Sequence, residues 1–213
     1  MSAGVKKVPI HLQSSQNRLL LKHGKVVNAD GTKDADVYIE DGIIKELGKN
    51  LIIPGGTRVL DVRGMYIIPG GIDPHTHLDL EPVTGHKTSD DFYRGTKAAI
   101  AGGTTMIMDF VIPEKGESLV EAYFKMRDIA DAKVCCDYAL HVSLPWWSDQ
   151  IQDEMTELCN EHGVNSFKMH MAFNNLYKLG DSELYSAFAK CKTLGAVPMV
   201  HAENGDIIEE VIS

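Results

Sequence analysis

Two histidines separated by one residue, His75 and His77 in "DPHTH", are the first feature of this chain with evident chemistry. On an extended segment, residues two apart face the same way, so both imidazoles can chelate one ion, as histidines at i and i+4 do on a helix. A second feature is "VNSFKMHMAF", Val164 to Phe173, which reads as a strand. At period two, Phe167, Met169, Met171 and Phe173 fall on one face and Ser166, Lys168, His170 and Ala172 on the other. A third is His201 in "MVHAEN". Each has an ordinary alternative: Lys168 could lie on the wet face of a surface strand, and a single strand histidine such as His141 reads as a hydrogen-bonded interior residue.

A lysine ammonium is a poor metal ligand, because it is cationic and has no lone pair until deprotonated. Desolvation and nearby cations lower its pKa, and the neutral amine can add carbon dioxide to become a carbamate, a carboxylate on a long stem. Its two oxygens can bridge two metals roughly 3.5–4 Å apart, the spacing of two-metal hydrolytic sites. A lysine inside a protein beside histidines makes sense as a bridging anion.

These side chains need elements that bring them to one place. Residues 18 to 66 hold the β-like runs "RLLLKHGKVVN", "ADVYIEDGIIKELG" and "TRVLDVRGMYII", separated by "ADGTKD" and "IIPGGT" turns, which predicts a small antiparallel β unit after an N-terminal segment, residues 1 to 17. From residue 67 onward, five candidate strands, "YIIPGGIDPHTH", "TTMIMDFVI", "CCDYALHVSL", "VNSFKMHMA" and "AVPMVHAE", alternate with four amphipathic helices. Each helix opens on a Ser or Asp cap, and three end in Gly. Strands alternating with helices predict a parallel sheet, either a barrel or an open doubly wound one. Neither "PGGID" nor "AGGTT" has the spacing of a phosphate-binding glycine loop, which favours the barrel. A (β/α)₈ barrel needs about 250 residues, so residues 67 to 213 read as its first five βα units, a truncated barrel. At the C-terminal ends of parallel barrel strands side chains converge, and His75, His77, Lys168 and His201 all fall at such ends.

The 213 residues, 44% of them hydrophobic, can bury a sizeable core. Thirty acidic against 21 basic side chains give a net charge of -9, which argues against nucleic acid or an anionic membrane as partner and for a small molecule. The N-terminus has no apolar run of signal-peptide length and no stretch approaches a membrane span, so a cytoplasmic location is expected. Cys135 and Cys136, adjacent on a predicted strand, and Cys159 and Cys191, single on predicted helices, match no disulfide framework or zinc spacing and read as reduced, mostly buried thiols.

"GGIDPHTH", "DDFYRGTKAAIAGGTTMIMDF", "CCDYALHV", "WWSDQ", "GVNSFKMHMAF" and "VHAENGD" together resemble the dihydropyrimidinase and hydantoinase family of cyclic amidohydrolases, most of all its animal dihydropyrimidinases, from about residue 8 to residue 210. The resemblance implies a TIM barrel beside a composite β-sandwich, a homotetramer, and hydrolytic opening of the ring amide of 5,6-dihydrouracil, dihydrothymine or hydantoins. It implies two zinc ions bridged by a carboxylated Lys168. His75 and His77 match the first-zinc histidines and His201 a second-zinc histidine, while the family's remaining histidine and its basic aspartate would lie beyond residue 213. In the implied mechanism a metal-bridging hydroxide attacks the ring carbonyl and the aspartate carries the proton to the leaving nitrogen.

Two departures bear on substrate. Where the family reads "FKMFMAY", with the tyrosine hydroxyl reaching the substrate oxygen, this chain has His170 and, at the substrate-binding position, Phe173, which has no hydrogen to donate. The loop "LDLEPVTGHKTSDD" also departs from the family's apolar, glycine-rich segment. The collapsin response mediator proteins, non-catalytic scaffolds similar to this family, share "MAF" at Phe173 but replace the second histidine and the bridging lysine. His77 and Lys168 are present here, which favours the enzyme, although a 213-residue product alone is expected to be inactive.

Overall fold

The computed structural model describes residues 17–80 and 88–212, so the N-terminal segment before Asn17 and the middle of the "LDLEPVTGHKTSDD" loop lie outside the described residues. Two compact units divide between Pro69 and Gly70.

In the first unit β1 (Arg18–Asn28) pairs antiparallel with β2 (Gly31–Glu40), and β2 with β3 (Ile43–Gly48). β4 (Arg58–Asp61) and β5 (Tyr66–Ile67) then run parallel to β1 along its other edge. The sheet is therefore mixed, not antiparallel as expected. The connection from β3 to β4 is too long for a hairpin, so the chain crosses to the free edge of β1 instead of folding back on β3. A bulge between Leu21 and Gly24 carries His23 at φ 65°, and its N–H donates to the buried Asp36 carboxylate at 2.8 Å. Gly24 is required here, since a Cβ would meet Ile67 Cδ1 at 2.4 Å. Val26, Ala35 and Val37 form the core of this unit.

The second unit alternates β6 (Gly71–Thr76), α1 (Phe92–Gly102), β7 (Thr104–Val111), α2 (Leu119–Asp131), β8 (Asp137–Ser143), α3 (Asp149–His162), β9 (Ser166–His170), α4 (Asp181–Leu194), β10 (Val197–His201) and α5 (Gly205–Ile212). All five strands are parallel, and their spatial order is their chain order. A doubly wound sheet reverses direction at a switch point. This one never does, so it is an arc of five barrel strands. Gly103, Gly163 and Gly195 close α1, α3 and α4 in the left-handed conformation. Asp91, Ser118 and Ser148 cap α1, α2 and α3 through their side chains. For α4 the expected Asp181 cap is displaced: Gly180 holds that position, and its N–H donates to the Glu183 carboxylate at 2.8 Å.

Three boundaries differ from expectation. "YIIPGGIDPHTH" is split between β5 and β6, with Pro69, which has no N–H to give a ladder, between them. Cys135 and Cys136 form a bend before β8 rather than its start, and Cys135 is exposed. β9 ends at His170, because Phe173 takes φ 63° and its carbonyl accepts from the N–H groups of Leu176 and Tyr177, turning the chain. The alternation on β9 therefore holds only through His170. Phe167 and Met169 are fully buried with Met155 and Leu158 of α3 and Ala187 and Cys191 of α4. Burial of each of Phe167, Met169, Met155 and Leu158 contributes about 1.5–3 kcal/mol. Burying that face against the helices turns Lys168 and His170 to the other side of the sheet.

Candidate active site

The inner face of the arc builds one site at the C-terminal ends of its strands. β6 delivers His75, and His77 follows directly after it; β9 delivers Lys168 and His170; β10 delivers His201, in register with His170. All five, with Phe173 and Tyr177 from the turn after β9, line a cavity of about 240 Å³. Every residue singled out from sequence for metal or substrate is thus brought to one cavity.

The histidine pair faces inward with Nε2 of His75 and Nε2 of His77 3.2 Å apart. Asp109 on β7 holds the backbone that carries them. Only 1% exposed, it accepts from Thr76 Oγ1 at 2.6 Å, Leu78 N at 2.9 Å and Phe110 N at 2.7 Å. Thr76 lies between the two histidines, so this carboxylate clamps their spacing. Burial raises the Asp109 pKa, with the three hydrogen bonds opposing. The Phe110 ring packs beneath, its centroid 4.6 Å from His75 and 4.9 Å from His77.

His141 is the hydrogen-bonded interior histidine that its isolated position predicts. Its Nε2 reaches the Pro74 carbonyl at 3.0 Å and its Nδ1 the Ser166 hydroxyl at 2.5 Å. A carbonyl only accepts, which puts the proton on Nε2 and makes Ser166 the donor to Nδ1. The ring therefore ties the strand of His75 to the strand of Lys168.

Burial depresses the Lys168 pKa, and no carboxylate among the described residues pairs with it; Phe110 lies 5.9 Å from its Nζ. His77 is lowered by burial, with Asp109 opposing and His75 and Lys168 adding. His170 is pushed down to about 4, first by burial and then by Lys168, His201 and His77. His170 Nδ1 is buried without a partner among the described residues, unlike a metal-ligating imidazole, whose second nitrogen donates to an acceptor. His201 Nε2 meets the Glu203 carboxylate at 2.7 Å, and its ring stacks on Phe173 at 5.3 Å.

Among the described residues no three His, Cys, Asp or Glu side chains group to hold a metal. The paired imidazoles nonetheless suit one: their nitrogens converge, burial disfavours the charged form of His77, and the nearby lysine is biased toward the amine that carbon dioxide adds to. Sequence reasoning missed Asp109, Phe110 and Ser143. The "MDF" run of β7 carries the only hint, since Phe110 pairs with His141 in the register.

The Amidohydrolase family profile matches residues 66–213. Rat dihydropyrimidinase is 54% identical over 199 residues, covering 92% of this chain and 38% of the relative. Mouse dihydropyrimidinase-related protein 5 is 55% identical over 197 residues, covering 92% of this chain and 35% of the relative. A D-hydantoinase crystal structure superposes with a TM-score of 0.87 at 42% identity, covering 91% of this chain and 42% of that one. The chain thus spans well under half the length of these relatives. No described helix is long and apolar enough to cross a membrane. The matched profile, the parallel five-strand arc and the likeness to both relatives and solved hydantoinases make this chain a member of the amidohydrolase family, in its dihydropyrimidinase and hydantoinase branch.

Proposed function

We propose that this chain is the N-terminal part of a zinc-dependent cyclic amidohydrolase that opens the ring amide of a dihydropyrimidine or hydantoin. The observation that carries this reading is the convergence of His75, His77, Lys168 and His201 on one cavity at the C-terminal strand ends. In this reading His75 and His77 would hold one zinc, His201 would help to hold a second, and Lys168, as a carbamate, would supply an anionic ligand. Two bound zincs would supply a water activated at neutral pH and polarise the substrate carbonyl. The chain's own residues do the rest of the positioning. Asp109 and His141 fix the strand ends, Phe110 excludes water beneath the imidazoles, and Phe173 and Tyr177 border the substrate space. The β unit of residues 18–66 would contribute to a composite sandwich, and the full-length form would be a homo-oligomer, a homotetramer as in the family.

The test is zinc analysis of the full-length protein paired with a dihydrouracil hydrolysis assay. Two tightly bound zincs per chain and turnover are expected; a metal-free, inert full-length protein would refute the reading. That second outcome favours a non-catalytic scaffold, a reading supported by Phe173 and by the 55% identity to dihydropyrimidinase-related protein 5.

A further inference from the structure

Ser143 closes β8 and is only 2% exposed, yet its Oγ has no hydrogen-bond partner among the described residues. Buried hydroxyls are nearly always bonded, so an orphan lining a cavity points to a group it serves. Its neighbour in the parallel register is Lys168 on β9, and both side chains line the cavity. Leu144 N donates to Lys168 O at 2.8 Å, which locks the two strand ends together at that level. Among the residues lining the cavity only Ser143 and Tyr177 carry hydroxyls, and Tyr177 lies on the turn beyond β9. The Phe110 ring, 5.9 Å from Lys168 Nζ, and Met199, the register partner of Lys168 on β10, offer no hydrogen-bond donor.

We propose that Ser143 is the positioning residue for a carbamate on Lys168, its hydroxyl donating to one carbamate oxygen. This rests on the amidohydrolase reading of Lys168. In the modification the Nζ lone pair attacks the carbon of carbon dioxide and an N–C bond forms. One C–O π pair moves to oxygen, and a proton leaves Nζ for solvent. The product is an anion with two acceptor oxygens in place of the neutral amine, whose ammonium form has already given its first proton to solvent. The unmodified lysine offers Ser143 at most its single nitrogen; the carbamate adds two charged acceptor oxygens, and a bond to one of them restrains the long lysine stem so that the anion faces the histidines.

The experiment strips the full-length protein of metal and reloads it with zinc at graded bicarbonate. It compares wild type, Ser143→Ala and Ser143→Thr, with thermal melting as a check on folding. The readouts are the carboxylated fraction of Lys168, by native intact mass and by carbon-13 NMR after labelled bicarbonate, and zinc content. A hydrogen bond to a charged group corresponds to roughly a tenfold to hundredfold shift. Ser143→Ala is therefore expected to need that much more bicarbonate for half carboxylation, to recover zinc at high bicarbonate, and to be rescued by threonine. Wild-type carboxylation in Ser143→Ala, or a loss that bicarbonate does not restore, would overturn the proposal. So would an unchanged carboxylated fraction with an altered KM, which would assign the hydroxyl to substrate. If carboxylation depends on Ser143 but no cyclic amide is hydrolysed, the Ser143 role stands and the proposed function falls. If wild type hydrolyses dihydrouracil with Lys168 never carboxylated, the function stands and the Ser143 role falls.

Discussion

At the scale of single residues, the chemistry turns on what Lys168 and Phe173 can offer. Lys168 lines the cavity with the imidazoles and its ammonium is disfavoured by burial; as a cation it would repel a metal, so only its deprotonated or carboxylated form can serve one. The full-length protein is expected to exceed its calculated mass by one carbon dioxide under gentle conditions, and Lys168→Ala to lose the bridged metal pair. Two tightly bound zincs in the alanine variant would count decisively against the bridging role. Phe173 is 48% exposed, its ring stacks on His201 and it lines the cavity, so a para hydroxyl would sit beside the candidate metal ligands. A missing oxyanion donor costs about 10²–10³ in rate. Phe173→Tyr is therefore expected to accelerate dihydrouracil hydrolysis toward that range, read as kcat. Tyr177 lines the same cavity, its ring 6.2 Å from Phe173. An unchanged rate in Phe173→Tyr, together with inactivity of Tyr177→Phe, would name Tyr177 as the donor.

At the scale of elements, the histidine pair is held less by β6 than by the carboxylate on the next strand. Asp109 takes three hydrogen bonds at the point where β6 ends, and removing it would leave the buried Leu78 N–H without this acceptor and the Thr76 hydroxyl with only the Met108 carbonyl at 3.4 Å. Asp109→Ala is expected to lower stability by about 3 kcal/mol, measured as the shift in the denaturant unfolding curve. It is also expected to weaken zinc binding about 10–100-fold, as loss of a ligand's supporting shell does. A variant with wild-type zinc affinity would show that β6 alone sets the His75–His77 geometry. β9 works by a different device. Phe167 and Met169 anchor its outer face in the helix layer, and that anchoring is what keeps Lys168 and His170 inward.

At the scale of the whole molecule, β6 and β10 are the two edges of the described sheet, and each bears exposed apolar residues, Ile72 and Val197. α5 adds Ile207, Val211 and Ile212, all largely exposed. Open parallel edges and bare apolar faces favour association between chains. A polypeptide of these 213 residues alone is expected to aggregate or to be poorly soluble, as seen by size-exclusion chromatography, and to show no dihydropyrimidinase activity. Monodisperse material that hydrolyses dihydrouracil at the rate of the full-length form would show that these strands already contain all the residues the reaction needs.

Local pattern was enough to predict the βα alternation, most helix caps and the candidate ligands, because each depends on neighbours within a few residues: a Ser or Asp before an apolar helix, a Gly after it, two histidines on one face of an extended segment. The mixed sheet of the first unit, the end of β9 at His170 and the division of "YIIPGGIDPHTH" were decided by partners far along the chain. β1 presents a free edge to β4 and β5, and the turn at Phe173 packs where Gly205 leaves room, a Cβ there meeting Asn174 Oδ1 at 2.3 Å. The same holds for the roles of Asp109, His141 and Ser143. Asp109 and His141 each serve a residue on another strand, and a hydrogen bond across 33 or 67 positions has no periodicity to betray it. Only the folding of β6 through β9 into one arc put that aspartate beneath Thr76, that imidazole against Pro74 and that serine beside Lys168.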